Sequence, residues 1–425
     1  MDQKTIALIL FGLTYIALMS LPKHRARIAL GMAILFIVIG ILPYTMVFKA
    51  IDFNVLLMIG GTMGIVSLFI ESRMPSLMAD YILDKTPNVK YAIVALALFA
   101  GLISAFVDNV ATVLMVAPVA LNIAKKLKIN PVMSIIAIAV SSNLQGAATL
   151  VGDTTAILLG SYAKMNFLDF FFWDGKIGMF WVVQAGAVIS GLVLLYLFRN
   201  QKQAIHLTEK ETVDDYFPSY LLGAMIILLI LASFIPNKWE ITNGLICVSL
   251  MAIGLIRVFI RHKHLSKVAT HLLEIDFQTL LLLASLFVLI AGINNVGLVN
   301  DIGKLFLKVS GDNLFIIYTL LVWVSVFLSA FIDNIPYIAT MLPIVAVIST
   351  NMGINPAILY LGLLSGATLG GNLTPIGASA NIAAIGILRK EGYTVTTKDF
   401  MRIGVPFTMA AVITGYILIW LIYAL

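Results

Sequence analysis

Apolar runs follow one another along the whole chain, at about 5–21, 28–46, 52–70, 91–124, 131–160, 177–198, 219–236, 241–256, 275–294, 313–350, 356–388 and 403–424. Most are 16–22 residues long, enough for one helix across ~30 Å of hydrocarbon. A bilayer offers backbone groups no partner, so such a chain folds as a helical bundle. Four runs exceed one straight crossing: 91–124, 131–160, 313–350 and 356–388. Two of these hold an acid–amide pair in mid-run, in Ser104-Ala-Phe-Val-Asp-Asn109 and Ser329-Ala-Phe-Ile-Asp-Asn334. The other two hold Gly- and Thr-rich interruptions. Each interruption is expected to be buried in protein or to line a wet cavity.

Charged residues make up 11% of the 425, against roughly 25% in soluble domains. The longest polar segments, near 199–217 and 257–274, are too short for a nucleotide-binding domain, and no G-x-x-x-x-G-K-[ST] loop occurs. Any work this chain does across a membrane is therefore expected to draw on an ion gradient, or on a separate ATPase subunit. The net charge of +6 is explained by basic cytoplasmic loops, with no nucleic-acid partner implied. The single Cys247, in an apolar run, excludes an internal disulfide or thiolate cluster. Residues 5–21 lack a small-x-small cleavage site before Lys23 and read as a retained first helix.

Let each Asp-Asn run be a hairpin returning to its own side, let every other run cross once, and place the N-terminus outside. Cytoplasmic segments then carry 20 of the 27 Lys and Arg, Lys210 among them, as the positive-inside rule requires. The fold expected is all-α and polytopic: two inverted repeats, each of five transmembrane helices and one re-entrant hairpin, with broken helices at the centre. Two full spans per hairpin would give the same charge count. The repeats are 1–217 (hairpin 91–124, broken helix 131–160) and 218–425 (hairpin 313–350, broken helix 356–388). At an offset of 225, Ser104, Ala105, Phe106, Asp108, Asn109 and Pro118 match Ser329, Ala330, Phe331, Asp333, Asn334 and Pro343. Leu144, Gly146, Thr149 and Gly152 match Leu369, Gly371, Thr374 and Gly377 in the same way, and Asp52-Phe53 resembles Asp276-Phe277. Five crossings are an odd number, so the second half runs inverted. Inverted repeats with broken helices place a transporter's binding site near the midplane.

An acid inside the membrane is costly and a functional candidate by default. Asp108-Asn109 and Asp333-Asn334 are expected at hairpin tips, where they either cap the second arm or coordinate a solute. The interruptions offer Asn143, Thr149 and Thr155 in one half and Asn372, Thr374, Ser379 and Asn381 in the other. Unwinding there frees carbonyls for a cation and exposes a helix N-terminus to an anion; alternatively the glycines serve helix packing. Asp153 faces Ala378 in the repeat alignment, and is read as a proton or cation site, against a helix cap or a structural hydrogen-bond acceptor. Asp108, Asp153 and Asp333 are the residues at which Na⁺ would bind. No Lys or Arg is expected at the midplane. His24, His206, His262, His264 and His271 fall in or beside polar loops and are expected to be solvated. Segment 74–86, with a counterpart near 298–309, reads as an interfacial helix.

Through Ser104–Pro118, Asn143–Thr155, Ser329–Pro343 and Gly370–Asn381, the chain resembles the ion transporter superfamily. It is most similar to the branch of arsenite efflux permeases, the P protein and NhaD-type antiporters. Dicarboxylate and citrate carriers of the superfamily carry Ser-Asn-Thr at their hairpin tips, where this chain has Asp108-Asn109-Val110 and Asp333-Asn334-Ile335. The resemblance implies hairpins opening from opposite sides, a scaffold part, a moving transport part and a homodimer. The activity expected is secondary transport: proton-coupled efflux of arsenite or antimonite, a small inorganic solute. The alternatives are Na⁺/H⁺ antiport and carriage of an inorganic or organic anion. No cofactor beyond the coupling proton or Na⁺ is expected, and no enzymatic activity; the Gly-x-Gly-Asp motif of intramembrane aspartyl proteases is absent. The location expected is a prokaryotic cytoplasmic (inner) membrane, with both termini outside.

Overall fold

The computed structural model describes residues 2–204, 211–213, 215–311 and 313–424. His206 and Lys210 lie outside them. The first half comprises α1 (Gln3–Ser20), α2 (Arg25–Val38), the short α3 (Val47–Ala50), α4 (Phe53–Glu71), α5 (Met74–Asp84), α6 (Val89–Ser104), α7 (Asn109–Leu127), α8 (Val132–Gly146), α9 (Thr154–Tyr162) and α10 (Met179–Leu197). A two-residue antiparallel ribbon, β1 (Phe172–Trp173) with β2 (Lys176–Ile177), precedes α10. The second half comprises α11 (Phe217–Ser233), α12 (Thr242–His262), α13 (Leu265–Leu273), α14 (Phe277–Asn295), α15 (Leu298–Ser310), α16 (Leu314–Ser329), α17 (Asn334–Met352), α18 (Ala357–Gly370), α19 (Ser379–Lys390) and α20 (Thr397–Tyr423).

Among the described residues eight helices are each long and apolar enough to cross a bilayer: α1, α4, α7, α10, α12, α14, α17 and α20. Aspartate starts many of the helices. Asp2, Asp52, Asp108, Asp153, Asp276 and Asp333 each accept a hydrogen bond from a first-turn amide of the helix they precede, satisfying donors that lipid cannot.

The repeat is visible in the packing. The hairpin α6/α7 rests on α8 as α16/α17 rests on α18. Arm α17 meets α9, and α7 meets α19. The outer helices are exchanged between halves: α12 packs along α4, and α2 along α14. An outer group (α1, α2, α4, α11, α12, α14) thus flanks a central group built from the hairpins, the broken spans, α10 and α20. The interfacial segments form α5 and α15, and α15 meets α16 at a bend of 116°. Cys247 is fully buried, its backbone against Gly61 of α4.

Candidate functional site

Both hairpin tips and both helix breaks meet at one cavity of about 440 Å³ between the outer and central groups. A re-entrant hairpin, not a pair of full spans, explains this placement, since full spans would put the tips on opposite faces. Asp108, Asn109, Asn143, Asp153, Asp333, Asn334 and Ser379 line the cavity. Thr149, Thr155, Asn372, Thr374 and Asn381 stand behind it, and their hydrogen bonds show what they do there.

At the first tip, Asp108 Oδ1 accepts from the amides of Val110 (2.9 Å) and Ala111 (3.1 Å). Asp108 therefore caps α7, as one of the two sequence readings had it, and also lines the cavity. Ser104 donates to Asn109 Oδ1 (2.6 Å), and Ser142 donates to the Asn109 carbonyl (3.0 Å). The second tip repeats the plan, with Ile335 N donating to Asp333 Oδ1 (3.0 Å).

Each break is tied to the neighbouring tip by a threonine. Thr149 donates to the Ala105 carbonyl, and Thr374 to the Ala330 carbonyl. Glycine is required at the same junctions for lack of space. A Cβ on Gly152 would lie 2.6 Å from the Gly146 oxygen and 2.9 Å from that of Ala105. One on Gly377 would lie 2.5 Å from the Gly371 oxygen and 2.9 Å from that of Ala330. These glycines serve close backbone approach at the break.

The two breaks are tied to each other by amides. Asn143 donates to Asn372 Oδ1 (2.7 Å) and Asn381 Oδ1 (2.9 Å). Asn381 in turn donates to the carbonyls of Gly371 and Thr374. With both donors committed, the side-chain oxygen is what Asn143, a lining residue of the cavity, keeps free to accept. On the other side Thr155 donates to Asp153 Oδ2 (2.7 Å) and lies 3.0 Å from the Thr368 hydroxyl.

Four helix N-termini, of α7, α9, α17 and α19, converge here. Aspartate caps three, while α19 starts after Ala378 and has no side-chain cap. Its first turn, Ser379 and Ala380, lines the cavity.

Three features departed from expectation. Arg25, at the start of α2, reaches Asp333 Oδ2 at 2.6 Å. The expectation of no base at the centre is thereby corrected: a residue assigned to a loop charge serves the second tip. Near the mouth, Glu274, Asp276 and Thr279 line the same cavity; among these only Asp276 carried a sequence signal, its match to Asp52. His271 is buried (4%), not solvated, because α4 offers it two partners one turn apart. Ser67 Oγ lies 2.6 Å from its Nδ1, and Glu71 2.7 Å from its Nε2. His24, His262 and His264 are exposed as expected.

The sequence matches the family described as citrate transporter, CitMHS, over residues 15–364. An uncharacterized transporter of Mycobacterium tuberculosis (strain H37Rv) is 31% identical over 99% of each chain. The human P protein is 28% identical over 96% of this chain and 58% of its own. Two solved structures share the fold. The YdaH transporter of Alcanivorax borkumensis has a TM-score of 0.62 at 14% identity, covering 89% of this chain and 88% of that one. MtrF of Neisseria gonorrhoeae has a TM-score of 0.57 at 15% identity, covering 100% and 96%.

Proposed function

The chain belongs to the citrate transporter (CitMHS) family, and from that premise we propose that this membrane transporter is a cation-coupled secondary carrier. One observation carries the reading: five carboxylates (Asp108, Asp153, Glu274, Asp276 and Asp333) line a single cavity, with Arg25 neutralising one of them. Helix dipoles contribute about half a positive charge per N-terminus, too little to reverse that balance. Such a cavity favours cations and neutral solutes over free anions.

The solute proposed first is arsenite or antimonite, a neutral trihydroxy species. It would donate to the Asn143 oxygen and to the free carboxylate oxygens of the tips, and accept from Ser379. Asp108 and Asp153, which have no cationic partner among the described residues, take the exchanged proton. Solute and proton compete for one cavity and so bias the same inward–outward equilibrium. Na⁺/H⁺ antiport, with Na⁺ on the same two carboxylates, is the second reading. An anion carrier is a third, favoured by the uncapped start of α19 and by the family's description.

The test is flux into proteoliposomes under imposed pH and Na⁺ gradients, comparing arsenite, Na⁺ and citrate. Proton-driven arsenite movement lost in Asp108→Asn and Asp153→Asn is the expected result. Arsenite-independent Na⁺ flux with the same losses would favour antiport. Citrate uptake indifferent to both substitutions would overturn the proton site.

A further inference from the structure

A second cavity, of about 160 Å³, shares no lining residue with the transport cavity and is lined by Lys23, His24, Ala26, Arg27, Gln278 and Leu281. Lys23, His24 and Arg27 are exposed, and among the described residues none has a carboxylate within ion-pair distance. Three basic groups around an unpaired pocket suit a phosphate. What lies along the helix below says which phosphate. On α2 the exposed positions after Arg27 are Leu30, Ile34 and Val38, the last 76% exposed. Their spacing of three and four residues puts them in one stripe continuing from the basic end. Beside them Gly31 is open, with nothing within 4 Å of a built Cβ. From Arg27 to Val38 a helix rises about 16 Å, close to half of the ~30 Å hydrocarbon core. A charged head with an apolar track one leaflet deep has the dimensions of a phospholipid.

We propose that the pocket between the start of α2 and α14 binds the head group of an anionic diacyl phospholipid, whose chains lie along the Leu30–Val38 stripe. The bound lipid also bears on the transport site. Arg25, within the same Lys23–Arg27 stretch, points the other way onto Asp333, so lipid occupancy steadies the backbone that holds this ion pair.

Native mass spectrometry of the full chain tests the proposal, with phosphatidylglycerol and phosphatidylcholine as probes. Retention of phosphatidylglycerol over phosphatidylcholine is expected, and Lys23→Gln/Arg27→Gln should weaken it about thirtyfold, at roughly fivefold per basic group. Lys23→Arg/Arg27→Lys should keep it. Lys263→Gln/Lys267→Gln, which removes equal charge elsewhere, should leave it unchanged. Equal retention by the Gln double variant overturns the site. Displacement of phosphatidylglycerol by millimolar inorganic phosphate would mean a free-anion site instead. Equal retention of phosphatidylcholine would mean that the stripe alone holds lipid or packs a second copy, and either result overturns the proposal.

Discussion

At the scale of single residues, the acids of the site are not equivalent. Asp108 and Asp153 share their charge only with hydroxyls and amides, whereas Asp333 has a guanidinium. At the offset of 224 that relates Asp52 to Asp276, Ser249 stands opposite Arg25, and Asp108, the counterpart of Asp333, has no cationic partner among the described residues, so this ion pair has no mirror there. Its burial decides its worth: Arg25 is 22% exposed and Asp333 14%, against 38% and 51% for the Lys4–Asp301 pair. A double-mutant cycle on thermal unfolding, using Arg25→Gln with Asp333→Asn, should give a coupling of about 1–3 kcal/mol. The same cycle on Lys4 and Asp301 should give ~0–1 kcal/mol. Equal couplings would place Arg25 as an ordinary surface charge. The sequence could not show this pair, because its partners lie 308 residues apart and a basic residue beside a span already has an explanation in topology. The same holds for His271, which falls within the segment 257–274 read as a polar loop while its partners are on α4.

At the scale of elements, the hairpins and breaks were legible because their signals are local. A 30-residue apolar run cannot be one straight span, and an acid–amide pair or a cluster of glycines marks where it turns. What the interruptions do once formed was not legible. Thr149, Thr374, Asn372 and Asn381 supply the polar groups expected of a site, yet their hydrogen bonds hold the breaks to the tips and to each other. The glycines make the point testable. Gly152→Ala and Gly377→Ala each force a methyl into backbone oxygens under 3.0 Å away, an overpacking that costs about 1–3 kcal/mol. Melting in detergent should fall by several degrees for either. Gly12→Ala and Gly223→Ala, which meet nothing within 4 Å, should melt at or above the parent temperature, since alanine is the better helix former. If all four melt alike, the breaks are not held by the close approach described.

At the scale of the whole molecule, the two halves share a plan but not a conformation. In the first half α4 packs on α9, with Ser161 donating to Asp52, and Val151 and Ile157 are buried. In the second half the equivalent approach of α14 to α19 is open. Ile376 and Ile382, which match Val151 and Ile157, are 64% and 50% exposed, and Asp276 faces the cavity. One side is shut and the other open. The open mouth lies where α4 ends and α14 begins, beside Arg73 and the α12–α13 junction, at the end assigned to the cytoplasm by charge. With Cys247→Ala as background, Thr279→Cys should react with a maleimide from that side, and Ser161→Cys should not. The opposite conformation follows by exchanging the halves: α19 would close on α14 while α9 leaves α4. Position 386, which matches Ser161, is a glycine with open space around its Cβ, so the open side lacks the hydroxyl that latches the closed one. Gly386→Ser supplies that hydroxyl opposite Asp276, and Ser161→Ala removes its counterpart. A hydrogen bond to a charged group is worth ~1.5–3 kcal/mol, enough to shift a two-state population by tenfold or more. Combined, the two substitutions should protect Thr279→Cys from maleimide. If its labelling rate stays at the parent value, the latch does not govern which side is open, and the Ser161–Asp52 contact is packing alone.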